Sequence, residues 1–123
     1  MRALEWILRL AVAGEFLGHG VLALRGEPGF RALITGTLDL SDDFARRALV
    51  VIGAVDLGIA ALALLKPWRP AILYAAFWGL VTAAARPLSG TTEVWEFFQR
   101  FPDWAAPLAL WLVLAKRARP TWR

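Results

Sequence analysis

The sequence predicts an all-α integral membrane protein, a four-helix bundle with one extra short interfacial helix before the last span. Three observations predict it. Hydrophobic residues make up 59% of the 123-residue chain, against about 45–50% in a typical soluble domain. The excess comes in long runs, not in the period-2 alternation of strands, and each run approaches the roughly 20 residues that cross a bilayer. The basic residues sit beside those runs, where they act as topology signals. Four runs use most of the chain, so residues 1–123 read as a single transmembrane domain.

The first span is expected over about residues 4–24. Glu5 and Arg9 lie one turn apart near its start, placed to pair at the interface or for Arg9 to snorkel. Arg2, the apolar run and Ala11-Val12-Ala13 loosely imitate a signal peptide, but the run continues to Leu24, so the segment is expected to be retained. Gly26, Pro28 and Gly29 end it. A polar connection is expected from Arg25 to Arg47, with a short interfacial turn at Phe30 to Ile34 and irregularity at Thr35-Gly36-Thr37.

Ser41 is a good N-cap, and Asp42 and Asp43 suit the first turn of the second span, about 44–65. Lys66-Pro67-Trp68-Arg69-Pro70 is a tight turn, with Pro70 suited to the first helical position of the third span, about 70–86. Arg86-Pro87 is expected to end that span. Between Thr92 and Phe101, aromatic and charged residues alternate as in a short helix lying among headgroups. The last span, about 103–116, contains Pro107 as a candidate kink and is short enough to require tilt or local thinning.

Charge supplies the orientation. One side would hold Arg2, Arg9, Lys66, Arg69, Lys116, Arg117, Arg119 and Arg123 with Glu5 as its acid. The other would hold Arg25, Arg31, Arg46, Arg47, Arg86 and Arg100 among seven acids from Glu27 to Asp103. The surplus of bases places both termini in the cytoplasm of a multi-pass protein of the plasma (inner) membrane. The net charge of +4 is thus a topology signal, and no nucleic-acid partner is expected. The chain contains no cysteine, which excludes disulfides, thiol catalysis and Cys-based metal sites within it.

The candidate site is a buried polar set. Glu15 and His19, the lone histidine, are four residues apart and share a helix face. Glu15 and Asp56 fall near the middle of their spans. Arg86 stands at the outer end of the third span, with Thr82 one turn below. Glu15, His19, Asp56, Thr82 and Arg86 are therefore expected to converge and open toward the outer face. Two nearby carboxylates in a low dielectric do not both ionise easily, so a proton or a base, Arg86 or His19, is expected between them.

Intramembrane ionisable groups mark functional sites by default, but they also pin helices through hydrogen bonds, and Gly14, Gly18, Gly53, Gly58 and Gly79 would allow close packing. Most tryptophans fall near interfaces; Trp78 and Trp111 are deeper and expected to pack in the core. There is no Gly-rich phosphate loop, no serine beside the histidine and no flavin or redox-metal motif. A metal held by Glu15, His19 and Asp56 is only weakly signalled, and no metal is expected.

Three segments resemble the DoxX-like group of small four-helix membrane proteins. They are Arg9-Leu10 with Phe16-Leu17-Gly18-His19-Gly20; Ile52-Gly53-Ala54-Val55-Asp56-Leu57-Gly58; and Phe98-Gln99-Arg100-Phe101-Pro102-Asp103-Trp104 followed by Pro107-Leu108-Ala109-Leu110. Asp56 stands where that group more often has Glu, and no Lys follows His19-Gly20 closely. The resemblance implies a four-helix bundle linked to quinone-coupled sulfur oxidation, to complexes handling thiol or oxidative stress, or to assembly of other proteins.

Three functions stay open. The first is a membrane subunit of a redox-linked complex, not catalytic alone, with no intrinsic cofactor but a bound quinone or lipid. The second is a non-catalytic assembly factor or scaffold for a membrane or peripheral protein. The third is a small proton-coupled transporter, for which a homo-oligomer is considered.

Overall fold

Local chemistry sets where the helices begin. The computed structural model describes residues 2–90 and 93–117, which form α1 (Arg2–Leu24), α2 (Pro28–Leu38), α3 (Asp42–Leu65), α4 (Arg69–Leu88), α5 (Trp95–Gln99) and α6 (Phe101–Arg117). No strand occurs among them. Ser41 caps α3 as expected, accepting from the Phe44 amide at 3.2 Å, with Asp42 and Asp43 in the first turn. Lys116 and Arg117 fall in the last turn of α6, where cations are favoured.

The stretch read as a connection is in fact α2, a continuous 11-residue helix. Glu27 caps it by accepting from the Phe30 amide at 3.0 Å, and Pro28 supplies a preset φ in the first turn. Thr35 and Gly36 do not break it. The Thr35 hydroxyl bonds back to the Ala32 carbonyl at 3.3 Å. Gly36 is a point of close approach, since a Cβ there would stand 2.6 Å from the Ser89 carbonyl oxygen.

Two further boundaries shift. α4 runs through Pro87 to Leu88, because a proline removes a donor but still leaves the Ser89 amide its bond to the Ala85 carbonyl at 2.8 Å. The interfacial helix shrinks to Trp95–Gln99, and α6 begins already at Phe101. Thr92, Arg119, Trp122 and Arg123 lie outside the described residues.

α1 packs along α3 and α4 along α6, α1 also meets α6, and α3 meets α4 more lightly. α2 lies across α3 and α4, and α5 sits on α4 and α6. The main pairs are antiparallel: Arg9 of α1 reaches the last turn of α3, while Gly20 of α1 lies against Gly53 of α3. A Cβ on Gly53 would stand 2.9 Å from the Gly20 carbonyl oxygen. The molecule therefore has a near end, where α1 and α4 begin and α3 and α6 finish, and a far end covered by α2 and α5.

Small residues dominate the contact surfaces, as suits helices that approach closely. The core joins Val12 and Phe16 of α1, Ala60 and Ala63 of α3, Ile72 and Ala75 of α4, and Leu110 of α6. Outside it, Ile7, Val51, Phe77 and Leu112 are each more than half exposed, an apolar surface that water would not tolerate but lipid would. α1, α3 and α4 are each long and apolar enough to cross a membrane. These features mark a membrane protein.

Candidate functional site

Four of the five residues of the expected polar set line one cavity. At the far end a cavity of about 260 Å³ lies between α1, α2, α3, α4 and α6, and His19, Asp56, Thr82 and Arg86 line it. Glu15 is absent from its lining, although Asp56 and Asp103 lie within electrostatic range of it. The walls are mostly apolar, supplied by Ala23, Phe30, Ile34, Leu49, Trp78 and Val81.

Each polar group has a local cause. His19 stands one turn beyond Glu15 on α1, and its ring meets Phe30 of α2 edge-on, with centroids 5.9 Å apart. Asp56 is 3% exposed, and its Oδ1 is buried without a hydrogen-bond partner. The Thr82 hydroxyl donates back into its own helix, 3.0 Å from the Trp78 carbonyl and 3.1 Å from that of Gly79. Its lone pairs remain available to accept. Arg86 has Glu27, Glu96, Asp103 and Arg100 within electrostatic range, yet no described carboxylate pairs with it directly.

Five buried polar side-chain atoms lack a partner among the described residues: Glu15 Oε2, Asp56 Oδ1, Arg69 Nε, Arg100 Nε and Trp104 Nε1. All but Arg69 lie on the far-end side of the molecule. Buried polar atoms are usually bonded, and of these five only Asp56 Oδ1 belongs to a residue that lines the cavity.

Two contributors were not read from the sequence. Asp103 lines the cavity from the first turn of α6. Its level was the available signal, since it begins a helix at the end where Arg86 finishes one. α2 supplies Phe30, Ile34 and Thr37, hidden in the sequence because Thr35-Gly36-Thr37 has the composition of a break in a polar connection. Trp78, expected in the core, both packs against the core and lines the cavity. Trp111 stays with the core, beneath the Arg69 guanidinium at 4.7 Å.

The near end holds a second charged group. Glu5 and Arg9, expected as an interfacial pair, are buried at 4% and 8% exposure. Arg117 Nη1 donates to Glu5 Oε1 at 2.6 Å and to Oε2 at 2.8 Å, and Arg9 Nη1 stands 3.4 Å from Oε2. Arg9 also donates through Nε to the Ala63 carbonyl at 2.7 Å and through Nη2 to that of Leu64. Those carbonyls belong to the last turn of α3, which has no helical donors left for them. Arg9 also stacks on Trp6, 3.8 Å from the ring centre.

Among the described residues no three His, Asp or Glu side chains gather as a metal site would need. Comparison with protein-family models, with curated proteins and with solved structures finds no match to this chain.

Proposed function

We propose that this protein is a four-helix integral membrane bundle that holds a quinone-like or other amphipathic ligand in the far-end cavity, as the membrane subunit of a redox-linked complex. α1, α3, α4 and α6 are its spans, and α5 lies at the interface. α6, at about 1.5 Å per residue, is the short one and crosses where the bilayer thins. The near end gathers Arg2, Arg9, Lys66, Arg69, Lys116 and Arg117 and faces the cytoplasm of the plasma (inner) membrane. The resemblance to DoxX-like proteins points the same way.

The observation that carries this reading is the apolar cavity with Asp56 buried and unpartnered on its wall. Pockets for small organic ligands are mostly apolar with a few convergent polar groups. A ring would lie against Trp78 and Phe30, Arg86 and His19 would donate to a carbonyl oxygen, and Asp56 would exchange a proton with it. Electrons reach the ligand from a partner protein.

Native mass spectrometry of the protein extracted from its own membranes in mild detergent tests this. A bound small molecule of quinone-like mass is expected, and it should be lost in His19→Ala and Arg86→Ala variants that remain folded. An empty protein, or a ligand indifferent to both substitutions, overturns the reading.

A second reading, a non-catalytic scaffold, is favoured by the aromatic cluster around α5. Trp95 is 69% exposed and Phe98 51% exposed, a surface able to meet another membrane protein. Co-purification of one defined polypeptide that survives loss of Glu15 and His19 would select it.

A further inference from the structure

The near end carries a second cavity, between the start of α1 and the last turn of α6, lined by Arg2, Glu5, Val113, Lys116 and Arg117. Its volume is about 380 Å³. Charge within it is unbalanced by construction. The carboxylate in its wall, Glu5, is already engaged by Arg117 on both oxygens and by Arg9 from behind. Arg2 and Lys116 thus face the cavity with no carboxylate partner among the described residues.

The surroundings are apolar. On the same two helices Leu4, Ile7 and Leu10 of α1 and Leu112 of α6 are exposed, leaving surface for acyl chains beside the charged mouth. A cationic hollow at the level where spans end, flanked by lipid-facing leucines, fits a molecule with an anionic head and two apolar tails. Basic pockets between helices on the cytoplasmic side bind acidic headgroups in this way.

We infer that this cavity binds the phosphate headgroup of an anionic phospholipid, with Arg2 and Lys116 as its direct contacts. Arg117 orients the site by holding Glu5, so that the acid does not repel the phosphate. The inference rests on the membrane placement proposed above but not on the ligand of the far-end cavity.

Lys116 and Lys66 form a matched pair for the test, since both are exposed lysines at the same end and only Lys116 lines the cavity. The purified protein in a neutral detergent is offered phosphatidylglycerol and phosphatidylcholine with identical chains, and native mass spectrometry reads the ratio retained. Phosphatidylglycerol is expected to be preferred. Lys116→Gln should lower the preference about fivefold, the equivalent of about 1 kcal/mol per basic side chain at a membrane surface, and Arg2→Gln with Lys116→Gln further. Lys66→Gln should stay within about twofold of the unaltered protein.

Equal losses in the Lys116 and Lys66 variants would mean diffuse surface charge and overturn the site. So would the absence of any preference. Displacement of the lipid by inorganic phosphate would make it an anion site and overturn the lipid assignment. Failure of the far-end reading shows separately, as a small molecule indifferent to His19→Ala, and does not move this ratio.

Discussion

The two ends of this bundle solve the problem of buried charge in opposite ways. At the near end, Glu5, Arg9 and Arg117 satisfy one another, and Arg9 also closes the open carbonyls of α3. At the far end, Asp56 Oδ1 and Glu15 Oε2 are buried and bonded to nothing among the described residues, and Arg86 stands over a cavity without a direct acidic partner. Both sets cost desolvation. The near set recovers it inside the protein, so its role is to fix how α1, α3 and α6 meet. The far set does not, and that makes it the candidate site. Satisfaction, more than burial, separates a helix pin from a candidate site.

Breaking the near end should have the largest effect on stability. Arg9→Ala leaves Glu5 with Arg117 alone, removes two bonds to the last turn of α3 and strips Trp6 of its cation. Removing one partner from a buried ion pair typically costs about 3–5 kcal/mol. A denaturation series in mixed micelles should show a loss of that order, with any ligand at the far end still bound by the molecules that remain folded. A loss below about 1 kcal/mol would mean that the near-end charges are no better integrated than the far-end ones.

A smaller effect probes the seam within the pair formed by α4 and α6. Gly79 of α4 lies directly under the α6 backbone at Asp103; a Cβ there would run into the Asp103 carbonyl oxygen and stand 2.7 Å from its carbon. Gly79→Ala must push α6 outward, at about 1–3 kcal/mol for an overpacked contact. Because Asp103 also lines the cavity, ligand retention should fall together with the melting temperature. A melt shifted without a change in retention would place the far-end site wholly on α1 to α4.

The same contrast explains what the sequence could disclose. The three long apolar helices were legible because a membrane span is a property of composition over about 20 residues, and Ser41 because a cap depends on its immediate neighbours. α2 was not legible. Its Gly36 reads as a breaker in isolation and becomes intelligible only once Ser89 is seen pressed against it. At the far end, position along each helix puts Asp56 near mid-span and His19, Thr82 and Arg86 toward the outer end, close enough in depth to converge. It does not show that Glu15 stays off the cavity lining or that Asp103 joins it, because rotation and order of helices are set by packing between segments far apart in sequence. At the near end, the i,i+4 spacing of Glu5 and Arg9 is visible in the sequence, but nothing local links Glu5 to Arg117, which lies 112 positions away.

The smallest expected change in stability is the most discriminating. Asp56 is as well buried as Glu5, so a view in which intramembrane charges serve as pins predicts that Asp56→Leu is damaging. The geometry predicts otherwise, since no described side chain bonds to Asp56 and replacing an unsatisfied polar group by an apolar one of similar size is near neutral or stabilising. The variant should unfold within about 1 kcal/mol of the unaltered protein, or slightly later, while losing the far-end ligand. Isothermal denaturation beside native mass spectrometry of the same preparation reads both. Destabilisation on the scale of Arg9→Ala would mean that Asp56 has a partner within the folded chain, and the two ends would then differ in degree and not in kind.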